Sequence, residues 1–241
     1  MIGCECATCT SSDPHDQRLR PSILLEYGRA VILVDAGPDL RAQALRHRIA
    51  RVDAILFTHG HADHILGMDD VRRFNALQDG AMPCYADEAT VADIRRTFAY
   101  VFDPATPKGG GLPQLELFPI AGPFSMAGVE IVPVPLLHGR RPVLGFRLGR
   151  FAYLTDCSKI PETSRALLDG LDVLVLDALR ERPHPTHFSL DEAVDTARTL
   201  GARQVYFTHM CHDLPHAATN ARLPSGMALA HDGLVITVNA E

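Results

Sequence analysis

Thr58-His59-Gly60-His61-Ala62-Asp63-His64 sets four metal-donor side chains, His59, His61, Asp63 and His64, into six consecutive positions. The stretch 53–58 leading into it is apolar and reads as a strand that ends at the first histidine. Imidazole and carboxylate suit Zn, Mn or Fe, and a loop leaving a rigid strand can turn several such groups inward together. A solvated histidine-rich turn is the competing reading. The apolar strand feeding the loop argues against it.

The same arrangement recurs along the chain. His138 follows the strand 132–137, Asp156 follows 152–155, and His209 follows 205–208. Singly, each is an ordinary core or turn residue. Together they put a donor at one strand end after another, where a rigid scaffold preorganises a site. Strands are expected at 22–26, 30–35, 53–58, 82–85, 129–133, 143–148, 151–155, 173–177, 205–208 and 234–238. Helices are expected at about 38–49, 68–78, 88–100, 161–168 and 190–200, and a Gly- and Pro-rich loop at 103–113. The alternation in two comparable halves predicts an α/β fold, with two sheets packed together and helices outside. No linker or charge run divides the sequence, so one domain is expected over 1–241.

With these residues in view, the chain resembles the metallo-β-lactamase superfamily, whose motif is HxHxDH followed by a later His, Asp and His. His59, His61, Asp63, His64, His138, Asp156 and His209 match it. The resemblance implies a four-layer αββα sandwich and two divalent ions, Zn or Mn with Fe also open. It implies that His59, His61 and His138 hold one ion and that Asp63, His64 and His209 hold the other. Asp156 would bridge them, and the metals would activate a water for attack.

Cys4, Cys6 and Cys9 crowd the first nine residues, one donor short of a tetrahedral structural zinc site. His212 is the best fourth ligand, with His216 and His231 as alternatives, and three unrelated reduced cysteines remain the plain reading. Cys84, Cys157 and Cys211 read as small buried side chains. The chain looks like the phosphoribosyl 1,2-cyclic phosphate phosphodiesterase (PhnP-type) branch, which joins an N-terminal CxCxxC to a His three residues past the last catalytic His. Further echoes are Asp35-Ala36-Gly37-Pro38-Asp39, Gly67-Met68-Asp69-Asp70-Val71-Arg72, Leu154-Thr155-Asp156-Cys157-Ser158 and Asp177-Ala178-Leu179-Arg180. This likeness implies one structural Zn in a clip at 4–9. Members of the branch usually start with a strand and a Gly-rich turn before the cysteines. Here the usual first N-terminal strand is missing, so either it is lost or the native start lies upstream.

His187 stands just before Ser189 and Glu192, a capping-box pair that starts a helix whose N–H groups favour phosphate. The resemblance makes His187 the group that protonates the leaving oxygen or contacts the scissile phosphate, with Asp63 counted beside it as catalytic. Arg140 and Arg141 follow His138 and could clamp phosphate or sugar hydroxyls. A solvated loop explains them equally well.

The leading expectation is a phosphodiesterase acting on a small cyclic phosphate ester. The alternatives are a tRNA 3′-processing endonuclease, another ester or thioester hydrolase, and a metal-holding partner in cofactor biosynthesis. The endonuclease needs a long basic arm, and the loop 103–113 offers one lysine, Lys108. A net charge of −6 argues against a nucleic-acid partner. No apolar run reaches the roughly 18 residues that cross a bilayer, and MIGCECATC is not a signal peptide. The expected location is the cytoplasm, with no membrane partner and a homodimer left open.

Overall fold

A computed structural model describes residues 1–107, 109, 111–126 and 128–238. The chain falls into two compact units. One is Leu19–Val129, and the other joins Met1–Arg18 to Glu130–Glu241.

In Leu19–Val129 the strands β1 (Ile23–Tyr27), β2 (Ala30–Val34), β3 (Ala54–Leu56), β4 (Met82–Ala86) and β5 (Leu115–Pro119) form a sheet in that order. β1 and β2 make a hairpin, turned at Gly28 with φ 59°, and β2 to β5 run parallel. The crossovers carry the helices α1 (Leu40–His47), α2 (Ala62–Ile65), α3 (Arg72–Gln78), α4 (Glu88–Thr97) and α5 (Ala99–Phe102). β3 is buried along its whole length, as helix-covered parallel strands are. Ile55, Phe57, Ile65, Met68 and Ile94 are enclosed in this unit's core, each worth about 1.5–3 kcal/mol of burial. The expected helix at 88–100 breaks at Phe98, whose backbone leaves the helical region. β5 was not expected from sequence. It lies at the sheet's edge, half-buried and exposed by turns, which leaves only a weak apolar signature. Lys108, the lysine of the expected loop, lies outside the described residues.

The second sheet contains β6 (Phe124–Met126), β7 (Val129–His138), β8 (Arg141–Leu148), β9 (Phe151–Leu154), β10 (Val173–Asp177), β11 (Gln204–Thr208) and β12 (Met227–Leu229), ordered β12-β11-β10-β9-β8-β7-β6. Among the described residues the α-helices α6 (Glu162–Arg165), α7 (Leu190–Leu200) and α8 (His216–Asn220) accompany it. α7 buries Leu190, Ala193, Val194 and Ala197, a single stripe at helical spacing, and stops at Gly201 with φ 67°. Its capping box is formed, with Ser189 Oγ accepting from Glu192 N–H and Glu192 accepting from Ser189 N–H.

β7 is longer than the expected 129–133. It joins that stretch to the one expected at 132–137 in a single strand that runs through Pro133 and Pro135, which lack a backbone donor. The strand expected at 234–238 is not one. β12 takes that place earlier in the chain by pairing with β11 through Val205↔Met227, while Val235 is 88% exposed. Alternating apolar residues without a partner strand do not make a ladder. Among the described residues the first strand is β1, after the cysteine segment. No helix among them is long and apolar enough to cross a membrane.

Candidate metal centre

In the unit Leu19–Val129 the loop 59–64 leaves β3 and enters α2. Val34 and Leu56 are in register on parallel strands, so Asp35 comes out beside the start of the loop. Asp35 adopts φ 64°, a costly backbone for a non-glycine residue and one found at functional sites. Its buried carboxylate accepts from Thr58 N–H (2.9 Å), from Thr58 Oγ (2.8 Å) and from His64 Nδ1 (2.8 Å). That last bond puts the proton of His64 on Nδ1 and leaves Nε2 as the metal-binding atom. Thr58 Oγ, having donated to Asp35, accepts from His59 Nδ1 at 3.0 Å. His59 Nε2 then lies 2.9 Å from His61 Nδ1, two imidazole nitrogens converging on one point as ligands of one ion do. Gly37 packs against this loop, where a Cβ would collide with the Asp63 carbonyl oxygen.

In the other unit the donors come from separate strand ends. Leu154, Leu176 and Phe207 share one register across the parallel β9, β10 and β11. Asp156, Asp177 and His209 therefore emerge at the same carboxyl edge. β7, antiparallel to β8, which is antiparallel to β9, brings His138 to that edge too. His209 Nε2 is 3.2 Å from Asp156 Oδ1, and both residues have positive φ, 61° and 53°. His138 Nδ1 is 2.8 Å from the Thr186 carbonyl. A carbonyl only accepts, so Nδ1 carries the proton and Nε2 is the donor atom for a metal.

His187 is 8% exposed and packs among these residues, 4.9 Å from the His209 ring and 4.6 Å from the His138 ring. Its Nδ1 bonds Asp177 Oδ1 at 3.1 Å, while Asp177 Oδ2 accepts from Phe188 N–H at 3.0 Å. Burial pushes the Asp177 carboxyl up, and the bond from His187 opposes that shift. Asp156, His187 and His209 each bring one donor atom within 4.8 Å of the others. These histidines and aspartates fit a metal site.

Cys4, Cys6, Cys9 and His212 also converge within 4.8 Å, with Cys4 Sγ and Cys6 Sγ 3.4 and 3.3 Å from His212 Nδ1. The Cys9 backbone N–H and the His212 ring pull the Cys6 thiol down to about 6, toward the thiolate that binds metal. His216 and His231 do not join this cluster. Cys84 and Cys157 are buried, whereas Cys211 is only half-buried.

Arg140 is exposed at the tip of the β7–β8 turn, and Arg141 pairs with His138 in the ladder. Both therefore flank the His138 strand end. Two carboxylates that position the site were not singled out by role from sequence, Asp35 under His64 and Asp177 under His187. Each ends a strand just as the candidate ligands do, and that shared pattern was the available signal.

Residues 31–210 match the model of the beta-lactamase superfamily domain. A solved structure described as a new diphosphatase from the PhnP family is 48% identical, covers 99% of this chain and 92% of its own, and superposes with a TM-score of 0.92. A Porphyromonas gingivalis protein named octanoyltransferase is 35% identical over 97% of this chain, which spans only about half (48%) of that relative's length. A Mycobacterium bovis ribonuclease Z is 29% identical over 81% of each chain. By fold, by its converging donors and by these likenesses, the chain belongs to the metallo-β-lactamase superfamily and resembles the PhnP family within it.

Proposed function

We propose that this chain is a binuclear metal-dependent phosphodiesterase that opens a small cyclic phosphate ester, with phosphoribosyl 1,2-cyclic phosphate as the best candidate. The observation that carries the reading is His187, a buried imidazole held through Nδ1 by Asp177 and packed against His138 and His209. The metal ligands in this reading are His59, His61, Asp63, His64, His138, Asp156 and His209. The Cys4, Cys6, Cys9 and His212 cluster holds a structural Zn.

When bound, the ions supply Lewis-acid polarisation of the phosphoryl oxygens and a water of lowered pKa. His187 keeps its Nδ1–H, donated to Asp177, and delivers a proton from Nε2 to the departing sugar oxygen. The Asp177 carboxylate holds the imidazole in that orientation. Asp35, by fixing His64, and the Thr186 carbonyl, by fixing His138, keep the donors aimed without rearrangement. Arg140 and Arg141 grip a second phosphate or the sugar hydroxyls.

The 48%-identical structure described as a diphosphatase favours a second reading, cleavage of a phosphoanhydride by the same residues. In that case the leaving group is a phosphate, which departs with less need of an acid. Dependence on His187 separates the two.

The test is turnover by Mn- or Zn-loaded protein on four substrates: phosphoribosyl 1,2-cyclic phosphate, a sugar or nucleoside diphosphate, 3′-extended precursor tRNA and an aryl phosphodiester. Opening of the cyclic phosphate that falls sharply in His187→Ala, with tRNA untouched, supports the reading. Preference for the diphosphate with little loss in His187→Ala replaces it with the second. No turnover of any of the four by metal-loaded protein overturns both, and leaves another ester or a non-catalytic metal protein.

A further inference from the structure

His15, His216 and His231 have no part in the chemistry above, yet the fold gathers their rings. The His15 ring centroid lies 4.6 Å from that of His216 and 4.1 Å from that of His231, and the last two are 5.7 Å apart. Asp13 joins them. It accepts from His15 N–H at 2.9 Å through Oδ1, and one donor atom from each of Asp13, His15 and His216 falls within 4.8 Å of the other two. We propose that Asp13, His15, His216 and His231 form a further metal site for a borderline divalent cation such as Zn²⁺, separate from the cysteine cluster and from the hydrolytic centre.

Three physical arguments support it. The first is the donor chemistry. Imidazole nitrogen and carboxylate oxygen are ordinary ligands of a tetrahedral divalent site. Asp13, His15 and His216 supply three converging donors, and the His231 ring, packed against that of His15, is placed to supply the fourth.

The second is preorganisation. These residues come from distant points in the sequence, but their backbones are tied together. Asp16 Oδ1 accepts from His216 N–H at 2.8 Å. The Arg18 guanidinium donates to the carbonyls of Cys211 (2.8 Å) and Leu214 (2.5 Å). The segment carrying Asp13 and His15 is therefore fixed to the segment carrying His216 whether or not an ion is present, and little ordering remains for binding to impose.

The third is tautomer control. His231 Nδ1 lies 3.2 Å from the Asp232 carbonyl, which can only accept, so Nε2 keeps the lone pair. A second bond of this kind on the far ring nitrogen is the usual support of a ligating histidine. A bound ion would link residues 13–15 to 216 and 231, a second tie on the same N-terminal segment that the cysteines hold. The donor set, nitrogen-rich with one carboxylate and no sulfur, selects Zn²⁺, Ni²⁺ or Cu²⁺ over Ca²⁺ or Mg²⁺.

The experiment counts Zn²⁺ per full-length chain by native mass spectrometry after loading with Zn²⁺ and gel filtration. Wild type is compared with His15→Ala/His216→Ala, with Cys6→Ser, and with all three changes together. The double variant is expected to lose one Zn²⁺ while turning over an aryl phosphodiester within about twofold of wild type. Cys6→Ser is expected to lose a different one, so that the combined variant loses two. Equal counts in wild type and double variant overturn the proposal. So does a combined variant that loses no more than Cys6→Ser, which would make the histidines part of the cysteine site. Should the double variant fail to fold by circular dichroism, Asp13→Asn and His231→Gln are titrated singly with Zn²⁺ against a chromophoric chelator. An at least tenfold weaker affinity for one equivalent is expected, and an unchanged titration in both overturns the site.

Discussion

The loop 59–64 and the strand ends at 138, 156 and 209 carry the same kinds of donor but reach their geometry by different routes. In the loop, four donors sit within six residues, and one carboxylate from the neighbouring strand, Asp35, orders Thr58 and His64 directly and His59 through Thr58. Along the other edge, Asp156 and His209, far apart in sequence, are brought level by the common register of β9, β10 and β11, and His138 joins them from the end of β7. A local cluster is thus exposed to changes in one supporting residue. A set spread over a sheet is held by backbone pairing that no single side chain controls.

Removing a donor from either set is the severest test of their equivalence. His61→Ala and His138→Ala are each expected to lower phosphodiester hydrolysis by about 10⁴-fold and to reduce metal content, because a water without its metals returns toward its ordinary acidity. Full activity in either variant would break the comparison by showing that one set is dispensable. His187→Ala is expected to cost about 10³-fold in kcat on a cyclic phosphate with metal content unchanged. Loss of metal in that variant would instead make His187 a ligand, an arrangement its 4.8 Å grouping with Asp156 and His209 makes worth checking.

Smaller effects sharpen the contrast between side-chain and backbone support. Asp35→Asn is expected to weaken metal affinity by about 10–100-fold, measured by chelator competition, since the Nδ1 bond of His64 loses its charged acceptor. His138 takes the corresponding support from the Thr186 carbonyl, so Thr186→Ala should leave affinity within about twofold. A large effect there would show that the side chain matters after all. If the cysteine cluster serves folding rather than chemistry, as proposed, Cys6→Ser is expected to lower Tm by about 10 °C while activity per folded molecule falls less than about tenfold. Unchanged thermal unfolding would remove the structural role of the cluster.

Much of this was legible beforehand where one short stretch holds both signal and consequence. The histidine loop, the capping box at Ser189 and Glu192, and the CxCxxC cluster each declare themselves within ten residues. Less legible were elements whose identity depends on a partner. β5 is an edge strand with little burial to mark it. The segment 234–238 has strand-like alternation but no neighbour to pair with, and β12 forms at Met227–Leu229 instead. Asp35 and Asp177 stand in stretches that echo the family, but the sequence assigns them no role. Only their contacts to His64 and His187 show what they do.

By itself, then, the sequence determined the donor types, their strand-end placement and the family, because metal chemistry restricts the residues and strand periodicity is local. The tertiary structure decided which nitrogen of His59, His64 and His138 is available, which carboxylates hold the histidines, and that His15, His216 and His231 meet. Those outcomes depend on register and on hydrogen bonds between residues far apart in the chain, and no local pattern encodes them.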